Sequence, residues 1–279
     1  MPYSQTPALV SANWLNHHRA DPSLIVVDCR WRLTDKDFGR QAFTQGHIPN
    51  SQRLDLDRQL SSPPGRYGGR HPLPEPEQFS AAMEEIGISD SSYVVCYDDD
   101  MAGAARLWWC LLYYGHAQVS VLDGGIKAWV KAGYSLEPGG AATVAPGQFT
   151  EQPDPRMVVG YQTVRSLAPV YPVIDARNPE RYSGTVEPMD RVGGHIPGAL
   201  NVPYPSLLTE EGTFHDPHTL NDIFAAILHQ SSQPIVYCGS GITACVDALA
   251  LRHTGAEPLL YPGSWSDWIQ HEDAPIASS

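Results

Sequence analysis

Short apolar, β-branched runs alternate along this chain with segments of helical period. Leu24-Ile25-Val26-Val27, Val94-Val95-Cys96-Tyr97, Val173-Ile174 and Ile235-Val236-Tyr237 are runs of the first kind, and Leu259-Leu260-Tyr261 joins them. Helical spacing is clearest over Gln78–Ile86, Gly103–Tyr113, Leu220–His229 and Ile242–Arg252, with Gly87 a natural stop for the first. Strands separated by helices predict βαβ units, hence an α/β fold with mostly parallel sheets flanked by helices.

The landmarks then repeat. Asp28-Cys29-Arg30 is answered by Asp175-Ala176-Arg177, and Gly46-His47-Ile48-Pro49 by Gly194-His195-Ile196-Pro197. Tyr97-Asp98 is answered by Tyr237-Cys238, Gly115 by Gly255, and Leu122-Asp123-Gly124-Gly125 with Trp129 by Tyr261-Pro262-Gly263-Ser264 with Trp268. The order is conserved between the halves, at offsets of 139 to 148 residues. The chain reads as two copies of one domain, residues 1–140 and 156–279. The stretch Glu137–Pro155, rich in Pro, Gly and Ala, supplies the linker, drawn at 141–155.

Charge narrows the function. The 279 residues carry 18 Lys+Arg against 31 Asp+Glu, a formal net charge of -13. Nucleic-acid binding needs basic patches, so that class is excluded. An anionic substrate would need a local cationic site, because the overall field repels it. The five cysteines, Cys29, Cys96, Cys110, Cys238 and Cys245, are odd in number, irregular in spacing and hold no Cys-x-x-Cys pair. They make neither a disulfide framework nor a zinc ribbon, and imply free thiols in a reducing compartment. No apolar run is long enough to span a membrane, and Met1-Pro2-Tyr3-Ser4-Gln5-Thr6-Pro7 lacks the features of a secretory leader. A cytoplasmic location is the resulting expectation.

Chemistry concentrates at Pro234-Ile235-Val236-Tyr237-Cys238-Gly239-Ser240-Gly241-Ile242-Thr243-Ala244-Cys245. A buried-strand run ends at a cysteine, two glycines and a serine follow, and a helix begins. Ligands of open parallel sheets bind beyond the carboxyl ends of strands. Gly239 and Gly241 let successive amides turn inward, and such a nest at a helix start is an anion site. A thiolate there is stabilised, so Cys238 is expected to be acidic and nucleophilic; the competing reading is a buried structural cysteine. A Cys-x5-Arg phosphatase would need arginine where Ala244 stands, and no Gly-x-Ser-x-Gly elbow is present.

These residues carry a resemblance. The two-copy layout, the Asp-x-Arg pairs, Gly194-His195-Ile196-Pro197-Gly198-Ala199-Leu200-Asn201-Val202-Pro203 and Cys238-Gly239-Ser240-Gly241-Ile242-Thr243-Ala244 resemble the tandem-domain rhodanese superfamily. The loop is similar to its 3-mercaptopyruvate sulfurtransferase branch, whereas the thiosulfate branch carries a basic pair after the cysteine. The resemblance implies two rhodanese-like domains, the second catalytic and the first contributing one wall of an interdomain cleft. It implies double displacement: Cys238 takes sulfur from a small anionic donor such as 3-mercaptopyruvate. The amides of Gly239, Ser240, Gly241, Ile242, Thr243 and Ala244 hold the persulfide, and a thiol such as thioredoxin or a small thiol, or cyanide, accepts it. No metal or organic cofactor is implied. In the first copy, Asp98 stands where the nucleophile would be, and Asp98-Asp99-Asp100 are expected to make an anion cradle self-defeating.

The resemblance also assigns further side chains. Arg181 is expected to bind the donor carboxylate, since its fork suits a bidentate partner; a surface salt bridge is the alternative. The branch has a second arginine after Glu-Pro, where this chain has Met189, and Arg191 is the expected substitute. His47, with Asp35 or Asp37 upstream, is expected to face the cleft as general acid, whereas its repeat mate His195 reads as a turn brace. Ser240 bonds the sulfur or relays a proton, or merely caps its loop, and Thr243 caps the helix. Arg177 is expected to order its loop through Asp175 or backbone carbonyls. Arg66-Tyr67-Gly68-Gly69-Arg70-His71 is a basic Gly-rich loop that either attracts an anion or is simply solvated. His215-Asp216-Pro217-His218 is rejected as a metal pair because proline breaks the alignment. Thiosulfate:cyanide transfer, and a non-catalytic persulfide carrier or redox-sensing module, remain the competing functions.

Overall fold

A computed structural model describes residues 6–278, so most of the N-terminal stretch read for a leader lies outside the described residues. The chain forms two compact units. The first comprises the described part of Met1–Ser61 with Pro74–Asp154 and Thr209–Phe214. The second comprises Ser62–Leu73, Pro155–Leu208 and the described part of His215–Ser279. Each unit thus takes in a segment from outside the contiguous spans read off the sequence. The residues read as linker contain no helix or strand before Pro155. They are strapped to the first unit, with Gly147 N donating to Glu84 O (2.8 Å) and Gln152 N to Tyr114 O (2.9 Å).

The first unit is a five-stranded parallel sheet. Its strands are β1 (Leu9–Val10), β2 (Leu24–Asp28), β3 (Gln52–Arg53), β4 (Tyr93–Tyr97) and β5 (Val119–Leu122), in spatial order β1-β5-β4-β2-β3. Every residue of β4 and β5 is buried, as expected of strands covered on both faces. The second unit carries β6 (Val173–Asp175), β7 (Leu200–Asn201), β8 (Ile235–Tyr237) and β9 (Leu259–Leu260), all parallel, in the order β7-β6-β8-β9. A single parallel bridge from Val158 to Leu260 stands where β1 pairs with β5 in the first copy. The repeat read from the sequence is therefore a repeat of topology.

The paired motifs are two ends of one device. Asp28 takes the Arg30 guanidinium on both oxygens, and Arg30 Nη2 reaches on to Gly46 O at 2.8 Å. Asp175, Arg177 and Gly194 O repeat this, with the last contact at 2.6 Å. The tyrosine ending the central strand completes each set: Ile48 N donates to Tyr97 Oη and Ile196 N to Tyr237 Oη, both at 3.1 Å. Asp-x-Arg and Gly-His-Ile-Pro recur together because the glycine carbonyl takes a donor that the buried ion pair leaves over.

Helices fall where the periodicity placed them, with ends moved by capping. The expected Leu220–His229 becomes Pro217–Leu228, because Asp216 caps the amides of His218 and Thr219 ahead of the first apolar residue. Gln78–Ile86 becomes Pro76–Glu85 with proline in the first turn. Ile242–Arg252 becomes Ala244–His253, the loop keeping Ile242 and Thr243. Apolar side chains from both faces of each sheet form the cores, centred on Val95 and Trp129 in one unit and on Tyr237, Trp265 and Trp268 in the other.

Candidate active site

Cys238 follows β8, the strand flanked on both sides by β6 and β9, so it leaves the sheet at its carboxyl end. The loop's carbonyls are taken by the helix Ser264–Trp268, with Trp265 N donating to Cys238 O and Ser266 N to Gly239 O, both at 2.9 Å. Cys238 N donates to Ser264 Oγ, which itself donates to Tyr261 O. With those groups satisfied, the following amides are left for the sulfur. Gly241 N reaches Cys238 Sγ at 3.2 Å. Gly241 adopts φ +78°, and a Cβ there would lie 2.4 Å from Pro262 O, so only glycine fits. Burial by itself would push the Cys238 thiol up. The Thr243 hydroxyl and the amides of Ala244, Ser240 and Gly241 bond the sulfur and outweigh burial, so the thiol is held below its ordinary value. Thr243 therefore serves the sulfur; it makes no side-chain cap to its helix, which corrects the capping expectation.

The first copy keeps the cradle and fills it. Asp98 Oδ1 accepts from Met101 N (2.6 Å) and Oδ2 from Ala104 N (3.0 Å), the repeat mates of Gly241 and Ala244. Met101 holds φ +73°. The expectation that three carboxylates would defeat a cradle is thus corrected. One carboxylate sits inside it, while Asp99 and Asp100 pair with Arg32 at 2.6 and 3.2 Å. No thiol can occupy this position in the first copy.

In the second unit the segment Ser62–Leu73 is stitched to the helix Ser264–Trp268. Gly68 N donates to Asp267 Oδ1 (2.7 Å) and Arg70 N to Ser266 Oγ (3.0 Å). This places His71 Nδ1 2.8 Å from Ser240 Oγ, with both residues buried. Sequence reasoning missed this histidine, although the basic loop containing it had been noted.

His47 belongs to the first unit, where its ring stacks on Phe43 (3.8 Å between centroids) and Nδ1 donates to Phe43 O at 2.9 Å. Its backbone pairs in both directions with Glu137. His195 repeats this on Tyr182, with Nδ1 to Tyr182 O at 2.9 Å and its backbone paired with Ala277. Both are turn braces, so the acid role expected of His47 gives way to a structural one.

Arg181 gives Nε to both oxygens of Glu187 (3.1 and 3.0 Å) and Nη2 to Asp190 Oδ2 (3.0 Å). Arg70 Nη1 bonds the other oxygen of Asp190. At Gly239, a Cβ would stand 3.0 Å from Arg70 Nη2 and 3.2 Å from Arg181 Nη1. Arg191 gives its Nη2 to Ile269 O, at the end of the last helix. Arg177 is buried against Asp175 and lies 4.6 Å from the Trp265 ring, as an organiser of its loop. Asp247, three residues into the next turn from Ala244, is fully buried with neither oxygen hydrogen-bonded. Burial first, then the charges at Cys238 and Asp175, push its carboxyl well up.

Among the described residues, no group of three His, Cys, Asp or Glu side chains is arranged to hold a metal. Asp216 spends its oxygens on helix capping, and His218 pairs with Asp222 at 3.1 Å. Among the described residues no helix is long and apolar enough to cross a membrane.

A family model for the rhodanese-like domain matches residues 11–132 and again 162–271, one match for each copy. The chain belongs to the rhodanese family. A Pseudomonas aeruginosa protein named "Probable 3-mercaptopyruvate sulfurtransferase" is 39% identical over 97% of this chain and 98% of its own length. "Thiosulfate/3-mercaptopyruvate sulfurtransferase 1, mitochondrial" of Arabidopsis thaliana is 32% identical over 99% of this chain and 79% of its own. The crystal structure of SseA from Escherichia coli, a 3-mercaptopyruvate sulfotransferase, is 35% identical over 94% of this chain and 100% of its own, with a TM-score of 0.80. Both rhodanese copies are thus accounted for, and Cys238 is the thiol that the second copy presents in the loop after β8.

Proposed function

We propose that this chain is a sulfurtransferase that moves a sulfane sulfur from 3-mercaptopyruvate, through a persulfide on Cys238, to a thiol acceptor or cyanide. The observation that carries it is a buried thiol at the end of β8 whose sulfur accepts from Gly241 N at 3.2 Å, in a loop whose own side chains are uncharged. The thiolate of Cys238 attacks the donor's thiol sulfur. The carbon–sulfur bond breaks and its electron pair goes to carbon, giving the enolate of pyruvate. The proton from the transferred thiol ends on that carbon, so pyruvate leaves and an anionic persulfide remains. The amides of Gly239 to Ala244 then face the outer sulfur, where inward dipoles stabilise the added charge. Ser240, bonded to His71, is the group suited to relay the proton. An acceptor thiolate attacks the outer sulfur and restores Cys238.

A small thiol or thioredoxin fits the acceptor role, and five free cysteines fit a reducing compartment, the cytoplasm. Thiosulfate is the second donor to test, because two guanidinium groups lie beside the neutral loop. The deciding experiment is mass spectrometry after exposure to 3-mercaptopyruvate. One added sulfur on the Cys238 peptide, with pyruvate released, is expected, and Cys238→Ser should show neither. A kcat/KM favouring thiosulfate would overturn the donor assignment. Sulfur accepted only from a protein partner would leave a persulfide carrier instead of an enzyme.

A further inference from the structure

The first unit has an open cleft of its own, of about 450 Å³, which is the size of a small-molecule site. It opens around Arg53, the last residue of the edge strand β3. Three elements each bring an arginine to it: Arg40 from the helix Phe38–Gln45, Arg53 from β3, and Arg58 from the short helix Leu56–Gln59. In a chain of net charge -13 this is a local reversal of sign. The backbone fixes two of the three relative to one another. Gly39 brings its helix so close to Arg30 O that a Cβ would lie 2.2 Å from it, and that Cβ would stand 3.7 Å from Arg53 Nη1. The Arg53 guanidinium therefore packs on the residue next to Arg40.

The hydrogen bonds leave the three guanidinium groups largely uncommitted. Asp55 reaches only Arg53 Nη2, at 3.7 Å. Arg40 pairs with Asp37 at 2.9 Å, but both side chains are well exposed and such a pair exchanges readily. Arg58 commits its backbone, with N donating to Asp55 Oδ1 (3.4 Å) and O accepting from Gln78 Nε2 (2.8 Å). Glu85, the other carboxylate on the wall, accepts from Gln59 Nε2 at 3.2 Å. The second copy shows that the shared fold does not require these charges. Asp28 stands opposite Arg53 across β2 and β3, and Asp175 stands opposite Asn201 across β6 and β7. Asn201 is thus the repeat mate of Arg53, and five residues on in each copy Ser206 is the mate of Arg58.

We propose that this cleft binds a small organic phosphate, a phosphate monoester, on Arg40, Arg53 and Arg58. A tetrahedral phosphate presents oxygens in several directions and can be met by guanidinium forks arriving from three elements, whereas a planar carboxylate offers one edge to a fork. The cleft has room beyond the phosphate group, so the organic part lies beside Thr44, Ile86 and Ala141. Gly140 and Ala141 lead into the linker, which Gln52 Nε2 already holds through Ala142 O at 3.2 Å. A bound ester adds a second tie between that linker and β3. The lining comes from the first unit alone, so the proposal does not depend on the sulfur chemistry of Cys238.

The test is calorimetric titration of the full chain with glycerol 3-phosphate, with glycerol and succinate as controls. The ester should bind with a Kd below about 1 mM, succinate at least about tenfold more weakly, and glycerol not measurably. Arg53→Gln and Arg58→Gln should each weaken the ester about fivefold or more, and Arg58→Lys less, because it keeps the charge but loses the fork. Arg58 is exposed and bonded only through its backbone, so an unchanged Tm in Arg58→Gln is expected and separates lost binding from lost folding. Limited elastase digestion after Ala141 and Ala142 gives a local readout: the ester should slow it in the parent and not in Arg58→Gln. An ester affinity equal in the parent and in Arg58→Gln would place the anion elsewhere on the chain and overturn the site. Absence of binding to the parent would do the same, and succinate binding as tightly as the ester would overturn the phosphate assignment.

Discussion

Met101 and Gly241 hold the same left-handed backbone at the same point of the two copies, φ +73° and +78°. The shared angle shows that the conformation does not by itself demand glycine. What demands it at 241 is Pro262 O, 2.4 Å from where a Cβ would stand. Left-handed strain costs about 1–2 kcal/mol, and the collision with fixed backbone adds to it. Gly241→Ala should therefore lose at least ~2 kcal/mol by urea unfolding and most of its turnover. A stability within about 0.5 kcal/mol of the parent would show that the loop can shift aside.

The Thr243 hydroxyl helps to hold the Cys238 thiol down. Removing a donor to the thiolate favours the protonated form, so the sign is upward. Thr243→Val should move the midpoint of the alkylation pH profile up by roughly one unit, since a hydrogen bond to a charged group is worth about 1.5–3 kcal/mol and one unit about 1.4. The linked stability has a definite window. The folded thiol lies below its unfolded value, so the thiolate stabilises the fold above the unfolded value. That contribution is lost as pH falls through the folded value. The variant's Tm deficit should accordingly be larger near pH 9 than near pH 6. A profile that does not move assigns the work to the amides.

The contact between His71 Nδ1 and Ser240 Oγ predicts coupling. Ser240→Ala and His71→Asn should each slow persulfide formation, and the double variant should be little slower than the worse single one. Full additivity in log kcat/KM would mean that the two side chains act separately and that no relay joins them.

Asp247 is a buried carboxyl with neither oxygen bonded, pushed well up chiefly by burial. The unfolded state ionises first as pH rises. Protein stability attached to this group is therefore full below the unfolded carboxylate range and is lost as pH rises toward the folded value. Asp247→Asn does not titrate. The difference in urea midpoint should shift in favour of the variant between about pH 4 and pH 8, each unit of displacement being worth about 1.4 kcal/mol. A difference that is flat with pH would show a carboxyl that titrates alike in both states.

The fold was legible because its constraints repeat within one sequence. Asp175, Arg177 and Gly194 O form one network, so their motifs had to travel together with those of Asp28, Arg30 and Gly46. Cys238 was legible because glycines flank it at a strand–helix junction. Arg70 and His71 were not, because Ser62–Leu73 has no counterpart among the repeated landmarks and joins the second unit through space. His47 drew attention by standing in a repeated motif, yet repetition there marks bracing, as His195 shows. Sequence position says nothing about the direction a long side chain takes, and the contact of Arg191 with Ile269 O is not legible from it.

The assignment of Ser62–Leu73 to the unit that holds the nucleophile changes what a fragment of this enzyme would be. A gene cut within residues 141–155 would yield a downstream polypeptide with Cys238, Arg181 and a complete sheet, but without His71 or Arg70. Such a piece could be alkylated and still be a poor catalyst. The half that carries Cys238 is thus not inheritable as a self-sufficient module: its missing parts are written upstream, inside the half that has no thiol in its own cradle.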